Sequence, residues 1–404
     1  MTVPESPEFR RILPAMAAIF VDVLSYGLIT PLIVAAFAGN VFLAGNPGLQ
    51  TFAQSLAFAL FPLGMFIGAA TLGDISDRWG RRKTLMLCMA GITFAFSAMA
   101  LSLALGSVTL FLLARLASGL LGGSVAIGQA AIIDLSTENT KALNLSRITI
   151  ANACAHFLGP GIGALLADRG LYLPFICISF MAITTLLWIA FSLKETRLPV
   201  QGCAIDWLRP LRVFSEAFTD QKIRRLSLAY LLFHSGNSMS YQFFYIYLAE
   251  EHHYSPGDLS LFSTLAMGLG ALAATLWALP LLQKRFDSLQ LSFVPLILCG
   301  LLTVIFQSDV PMLLRWCLSF IWALALVVAY VSTLILYSSC VDEERQGWVM
   351  GIAGSVFAFS FIIGGLSASL LNWLSVNTLM VLSGVLLAAS GLLLKTFCHP
   401  AARQ

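Results

Sequence analysis

The sequence predicts an all-α polytopic membrane protein of twelve transmembrane helices in two pseudo-symmetric six-helix bundles. Three observations carry that expectation. The 404 residues are 58% hydrophobic and only 11% charged, with a mean hydropathy of +0.87, whereas an ordinary soluble domain is about 25% charged. Apolar runs of roughly 20 residues, the length a helix needs to cross a bilayer, recur along the chain. The one long polar interval, Lys194 to Arg225, has six such runs on either side. The expected division is therefore 1–193, a cytoplasmic linker over 194–225, and 226–404.

In chain order, the first six spans are expected near 12–37, 49–73, 84–105, 108–134, 146–168 and 171–193. The second six are expected near 226–249, 259–282, 290–307, 311–338, 346–371 and 376–398. The ninth is short and interrupted by Pro295. The run at 12–37 is too long for a cleavable signal peptide and lacks a small-residue cleavage site. With the N-terminus inside, every Lys and Arg except Arg115, Arg169 and Arg315 falls on the cytoplasmic side, as the positive-inside rule requires. An even number of spans returns the C-terminus to that side. The expected setting is a cell membrane, a bacterial inner membrane, with the chain monomeric.

A net charge of +3 on so apolar a chain does not point to nucleic acid. The eight cysteines form no CxxC pair and lie mostly within apolar runs, where a free cysteine behaves as a small hydrophobe. No disulfide, metal or cofactor is expected. In the linker, 205–218 has apolar residues at helical spacing. It reads equally as a helix lying along the membrane surface or as a solvated connection.

The halves repeat. Phe9 to Leu13 (FRRIL) before span 1 matches Ile223 to Ser227 (IRRLS) before span 7. Leu112 to Gly119 in span 4 aligns with Met312 to Ser319 in span 10, setting Arg115 against Arg315. Ser76 to Lys83 has a degraded counterpart in Gln283 to Asp287. Such self-similarity marks secondary transporters that bind a small molecule near the midplane between halves. The chain has no HExxH, GxSxG or P-loop motif, which argues against an enzyme or an ATP-driven pump. An ion gradient is the remaining source of energy, at about 2.3 kcal/mol per charge moved through 100 mV.

Each polar group inside a span needs a reason to be there, because an ionised side chain at the bilayer centre costs about 2.5–3.5 kcal/mol on insertion scales. Asp22 lies in span 1, within FVDVLSYGLITP. An acid there can load and release a proton as access alternates, or pair with a cation or hydroxyl for packing. Arg115, in span 4, needs an acceptor, and Asp22 is the nearest candidate. His156, in span 5, reads as a second titrating group or as a packing residue. In span 7, Asn237, Tyr241 and Tyr245 recur on one helical face, with His234 close by. Together with Tyr26, Asn152, Trp277, Trp322 and Tyr330 they form the expected solute contacts. Aromatic rings with polar tips suit an amphipathic organic molecule.

The loop between spans 2 and 3 reads LGDISDRWGRRK over 72–83. Its Gly73, Asp77, Arg78, Gly80, Arg81 and Arg82 closely resemble the loop 2–3 signature of the major facilitator superfamily. FVDVLSYGLITP also resembles the first-span pattern of that family's drug:proton antiporter branch, tetracycline exporters included. Arg115 with Gly119 resembles the fourth-span motif, Ser118 standing where Gln is usual. Ala155, Gly159, Pro160, Gly161 and Gly163 resemble the fifth-span motif of exporting branches, with Ala for Gly at both ends of the usual pattern. Val341 to Gly351, before span 11, also resembles the family.

The resemblance implies the major facilitator fold and gives Arg115 a part in proton transfer or substrate contact. It implies close helix packing at Gly159, Pro160 and Gly163. It also implies a cytoplasmic gate, in which Asp134 pairs with Arg78 and Asp77 caps span 11 near Gly347, holding an outward-open state. The expected function is a proton-coupled antiporter that exports a small amphipathic organic solute: a drug, metabolite or siderophore. Spans 1, 4, 7 and 10 would line the cavity, with Asp22 carrying the proton and Arg115 modulating it. The alternatives are a proton symporter for uptake and a non-transporting membrane receptor or scaffold.

Overall fold

The computed structural model describes residues 7–397 apart from 44, 197–207, 222 and 343–344. Ten of its helices are long and apolar enough to cross a membrane by length and composition. Two more complete the twelve. Gln290–Phe306 is apolar but only 17 residues long, with Pro295 inside it. Arg224–Glu251 has 28 residues and carries His234, Asn237 and Gln242 in its interior. The chain is an all-α, multi-pass membrane protein.

The first bundle holds span 1 (Pro7–Ala38), span 2 (Pro47–Trp79), span 3 (Arg81–Leu105), span 4 (Val108–Leu120 and Ser124–Leu135), span 5 (Glu138–Leu166) and span 6 (Leu173–Ser192). The second holds span 7 (Arg224–Glu251), span 8 (256–282), span 9 (Gln290–Phe306), span 10 (Met312–Ser339), span 11 (Gln346–Leu366, continued by a 3₁₀ stretch, Ser367–Asn372) and span 12 (Val376–Phe397). Spans 2 and 3 reverse at Gly80, whose φ of +96° suits a residue without Cβ.

Two spans are less regular than the sequence suggests. Span 4 stops at Leu120 and restarts at Ser124, because the adjacent Gly122 and Gly123 have low helix propensity. Span 8 contains two π-helical stretches, Ser263–Gly268 and Ala274–Ala278, a feature frequent at functional sites.

Close packing follows small residues. A Cβ on Gly159 would enter the Leu24 carbonyl, so spans 1 and 5 approach as closely as they do only with glycine there. Pro160 lies against Gly27, and Gly163 faces Ser260 of span 8 across the bundle boundary.

The two bundles meet differently on the two membrane faces. On the face away from loop 2–3, Asp168 at the end of span 5 accepts the Gly257 N–H at 2.8 Å and the Ser255 hydroxyl at 3.4 Å, both at the start of span 8. The Asn372 amide donates to the Gly48 carbonyl at 3.5 Å, and Gly365 packs on Ala59. On the basic face, a linker helix, Arg209–Thr219, sits between the bundles. Its Phe214 ring lies 6.0 Å from Phe66 of span 2 and 4.3 Å from Phe359 of span 11. Arg209 pairs with Asp74 at 2.6 Å, and the Trp348 indole donates to Glu216 at 2.5 Å.

The linker helix is thus neither a solvated connection nor simply laid on the membrane, because its apolar face is buried against spans 2 and 11. Residues 205–207 of the amphipathic segment lie outside the described residues, as do Glu343 and Glu344 before span 11.

Candidate functional site

A cavity of about 400 Å³ lies between the bundles. Asp22, Tyr26, Phe61, Gly122 and His156 reach it from the first bundle. His234, Asn237, Tyr241, Met267, Trp322, Tyr330, Phe357 and Phe361 reach it from the second. Spans 1, 4, 7 and 10 therefore line it, joined by spans 2, 5, 8 and 11. A largely apolar pocket with a few polar groups is the usual form of a small-molecule site.

Asp22 is 7% exposed. Its Oδ2 accepts the Ser124 backbone N–H at 3.1 Å, at the restart of span 4. First-turn amides have no partner within their own helix and favour a negative charge. The break in span 4 therefore gives Asp22 a backbone partner in the place the sequence suggests for Arg115.

Arg115 does not pair with Asp22. Its Nε donates to the Ala57 carbonyl of span 2 at 3.0 Å, and its guanidinium lies over the Phe61 ring, 4.9 Å from the centroid. The reason is axial distance: Arg115 precedes Ser124 by about 13 Å of helical rise. It stands behind Phe61 rather than in the cavity wall.

Tyr26 is one turn beyond Asp22, with its ring 5.6 Å from Phe61 and 6.3 Å from His156. His156 Nδ1–H donates to the Asn152 carbonyl at 3.0 Å, which leaves Nε2 for the cavity. Asn152 itself does not line the cavity, and its Oδ1 is buried without a partner.

On the opposite wall, Trp322 donates its indole N–H to Thr303 Oγ1 at 3.0 Å, so its ring rather than its polar tip serves the cavity. His234 is 1% exposed, and neither ring nitrogen has a hydrogen-bond partner. Besides Asn152, two expected contacts fall elsewhere. Tyr245 is turned into the bundle, where its hydroxyl bonds to Ser263 Oγ at 2.7 Å. Residues at i, i+4 and i+8 drift about 40° per step around a helix, and by Tyr245 the stripe has left the cavity. Trp277 is 64% exposed on the outer surface of span 8. The π turn upstream, Ser263–Gly268, holds an extra residue and rotates the rest of the span by about 100°.

On the basic face, Asp134 pairs with Arg81 (3.7 Å), not with the expected Arg78. The reversal at Gly80 sends Arg81 back along span 2, where it also meets Asp77 at 3.2 Å and donates to Ser76 Oγ at 2.9 Å. Arg78, in the last turn of span 2, is exposed. Arg82 donates to the Ala190 carbonyl of span 6 at 2.6 Å. These contacts tie spans 2, 3, 4 and 6 together within one bundle.

Sequence reasoning missed Ser124, Phe61, Phe357, Phe361 and the Asp168 contact. Only Ser124 had a signal, the Gly pair that precedes it.

The family model described as Major Facilitator Superfamily matches residues 15–365. The chain is 24% identical over 417 residues to major facilitator superfamily domain-containing protein 10 of Bos taurus, covering 92% of this chain and 89% of that protein. It is 27% identical over 187 residues to the class D tetracycline resistance protein of Salmonella ordonez, covering 45% of each. The solved structure of the human organic anion transporter MFSD10 (TETRAN) matches with a TM-score of 0.66 and 22% identity, over 96% of this chain and 99% of that one.

Proposed function

The chain belongs to the Major Facilitator Superfamily and is a membrane transporter rather than an enzyme, and from that premise we propose that it is a proton-coupled antiporter exporting a small amphipathic organic solute. One observation carries this reading. Asp22 is a buried acid in the wall of a solute-sized cavity, and its partner is a backbone amide rather than a basic side chain. In an apolar wall the charged form is disfavoured unless water or a counter-charge reaches it. Alternating access changes that exposure, so the acid takes a proton from one side and gives it up to the other.

Export rather than uptake is favoured by similarity to a tetracycline resistance protein and by the close-packed Gly159, Pro160 and Gly163 of span 5. The solute contacts are Tyr26, His234, Asn237, Tyr241, Trp322 and Tyr330. Arg115 and His156 modulate the proton step from the neighbouring wall. The basic face is cytoplasmic, and Gly73, Asp77, Arg78, Gly80, Arg81, Arg82 and Asp134 gate it. The working unit is a monomer in a bacterial inner membrane, with 1–193 and 226–404 rocking about the cavity and both termini inside.

The test uses proteoliposomes loaded with a pH-sensitive dye and given an imposed proton gradient. For the wild type, adding a transported drug from a panel that includes tetracycline should dissipate the gradient, with solute and proton moving in opposite directions. Asp22→Asn should abolish this exchange while still binding the solute. Retained proton movement in Asp22→Asn would remove the acid from the mechanism. Movement of solute and proton in the same direction would make the protein a symporter.

A further inference from the structure

On the reading that this cavity holds the transported solute, we propose that His234 sets its chemical class. The solute is a planar aromatic molecule with a neutral hydroxyl on its ring edge, and the hydroxyl is read by the His234 imidazole.

Two of the buried polar side chains of span 7, His234 and Gln242, are served unequally. A neutral imidazole offers one donor and one acceptor, and leaving such groups buried and unpaired costs free energy. Gln242, on the same helix and equally buried, is served in part by span 11: its NH₂ donates to the Gly364 carbonyl at 2.5 Å and to Ser367 Oγ at 2.9 Å, and only its Oε1 lacks a partner. His234 borders the cavity with both nitrogens unpartnered. The groups around it are aromatic rings, with Tyr230 edge-on at 4.3 Å. Phe233 stacks on it with centroids 4.2 Å apart, Phe357 lies at 4.7 Å and Phe361 at 6.1 Å.

Tyr330, 5.7 Å away and edge-on, forms the side of this box nearest the open cavity. It is 37% exposed, and its hydroxyl makes no hydrogen bond among the described residues. It can therefore turn aside without losing one. The surface that this uncovers is formed by Phe357 and Phe361, whose rings pack on each other with centroids 4.6 Å apart and tilted 31°. A planar aromatic molecule can lie against the outer face of this pair by offset stacking. The side chains of this wall are uncharged, since Asp22 stands on the other bundle. The group best matched to the imidazole is a neutral hydroxyl rather than an ammonium or carboxylate.

The experiment is calorimetric binding of 7-hydroxycoumarin and 7-methoxycoumarin to the purified full-length protein in nanodiscs at pH 6. The two probes share the ring system, and the ether lacks the hydroxyl proton. The wild type should bind the hydroxyl compound about tenfold more tightly. His234→Phe, which keeps an aromatic ring and removes both nitrogens, should bring the pair within about twofold. Thermal unfolding reports whether that variant is folded, and the wild-type comparison decides even if it is not. Equal wild-type affinities, no binding of either coumarin, or discrimination that survives in folded His234→Phe would each overturn the proposal. No gradient is imposed, so the outcome stands apart from whether transport is proton-driven.

Discussion

Arg115 and Arg315 occupy matched places in spans 4 and 10, yet their surroundings differ. Arg315 is 2% exposed and held on several sides. Its Nε donates to the Phe306 carbonyl at 2.9 Å, Nη2 to the Ser308 carbonyl at 3.0 Å, and Nη1 to His252 Nε2 at 2.5 Å. It clamps the turn between spans 9 and 10 to the end of span 7. Arg115 is equally buried but has one hydrogen bond among the described residues, to the Ala57 carbonyl, and an aromatic ring beneath it. The contrast extends to the cavity. The first bundle presents an acid to it, with a cation close behind, while the second presents neutral polar aromatics. A duplicated scaffold has placed buried charge beside the cavity in one half and in a structural clamp in the other.

Removing each arginine tests that contrast most directly. Arg315→Ala frees the buried Phe306 carbonyl and the part-buried Ser308 carbonyl and should lower stability by about 3 kcal/mol, since hydrogen bonds to charged groups contribute about 1.5–3 kcal/mol each. Arg115→Ala, which loses one such bond, should cost about 1.5 kcal/mol and instead impair proton-driven exchange. Thermal unfolding of the two purified variants checks this, and equal losses would erase the distinction.

A smaller effect is expected at the seam. Asp168→Ala removes the acceptor for the start of span 8 and should weaken closure of that face by about 1 kcal/mol, as for the loss of a helix cap. Thiol labelling of a cysteine introduced at Met267, with reagent supplied from that face, should then quicken.

The smallest effect concerns pH. Burial, followed by the neighbouring Arg315, holds the His252 ring below the ordinary histidine value, against an opposing pull from Glu251, with His253 adding to the depression. Only the neutral ring can accept the Arg315 N–H. The folded protein thus binds fewer protons than the unfolded chain in this window. The contribution is complete above about pH 6.5 and is lost as pH falls through the depressed value. Thermal stability should decline modestly from pH 7 to pH 5, and His252→Phe should flatten that decline.

Much of the architecture was legible in the sequence because hydrophobic length is a coarse property that each span carries independently. Even the short ninth span was visible, Pro295 included. Asp22 stood out because charge within an apolar run is rare. The partner of Arg115 was not legible, because a main-chain carbonyl looks the same at every residue. Tyr245 and Trp277 were misjudged through angular drift and π turns, which accumulate along a helix without marking any one residue. Phe357 and Phe361 were invisible for a related reason: a phenylalanine facing a cavity and one facing lipid are written alike. The linker helix announced its amphipathic face but not its destination between spans 2 and 11.

The break in span 4 has a mechanical consequence. The segment Ser124–Leu135 is a 12-residue helix, a rod about 18 Å long. One tip touches the buried carboxylate, and the other carries Asp134 next to Arg81 at the surface. The glycine pair interrupts the helix between this rod and the rest of its span. If the proposed proton step at Asp22 shifts the inner tip, a rigid rod would carry that shift to the Asp134–Arg81 contact at the other.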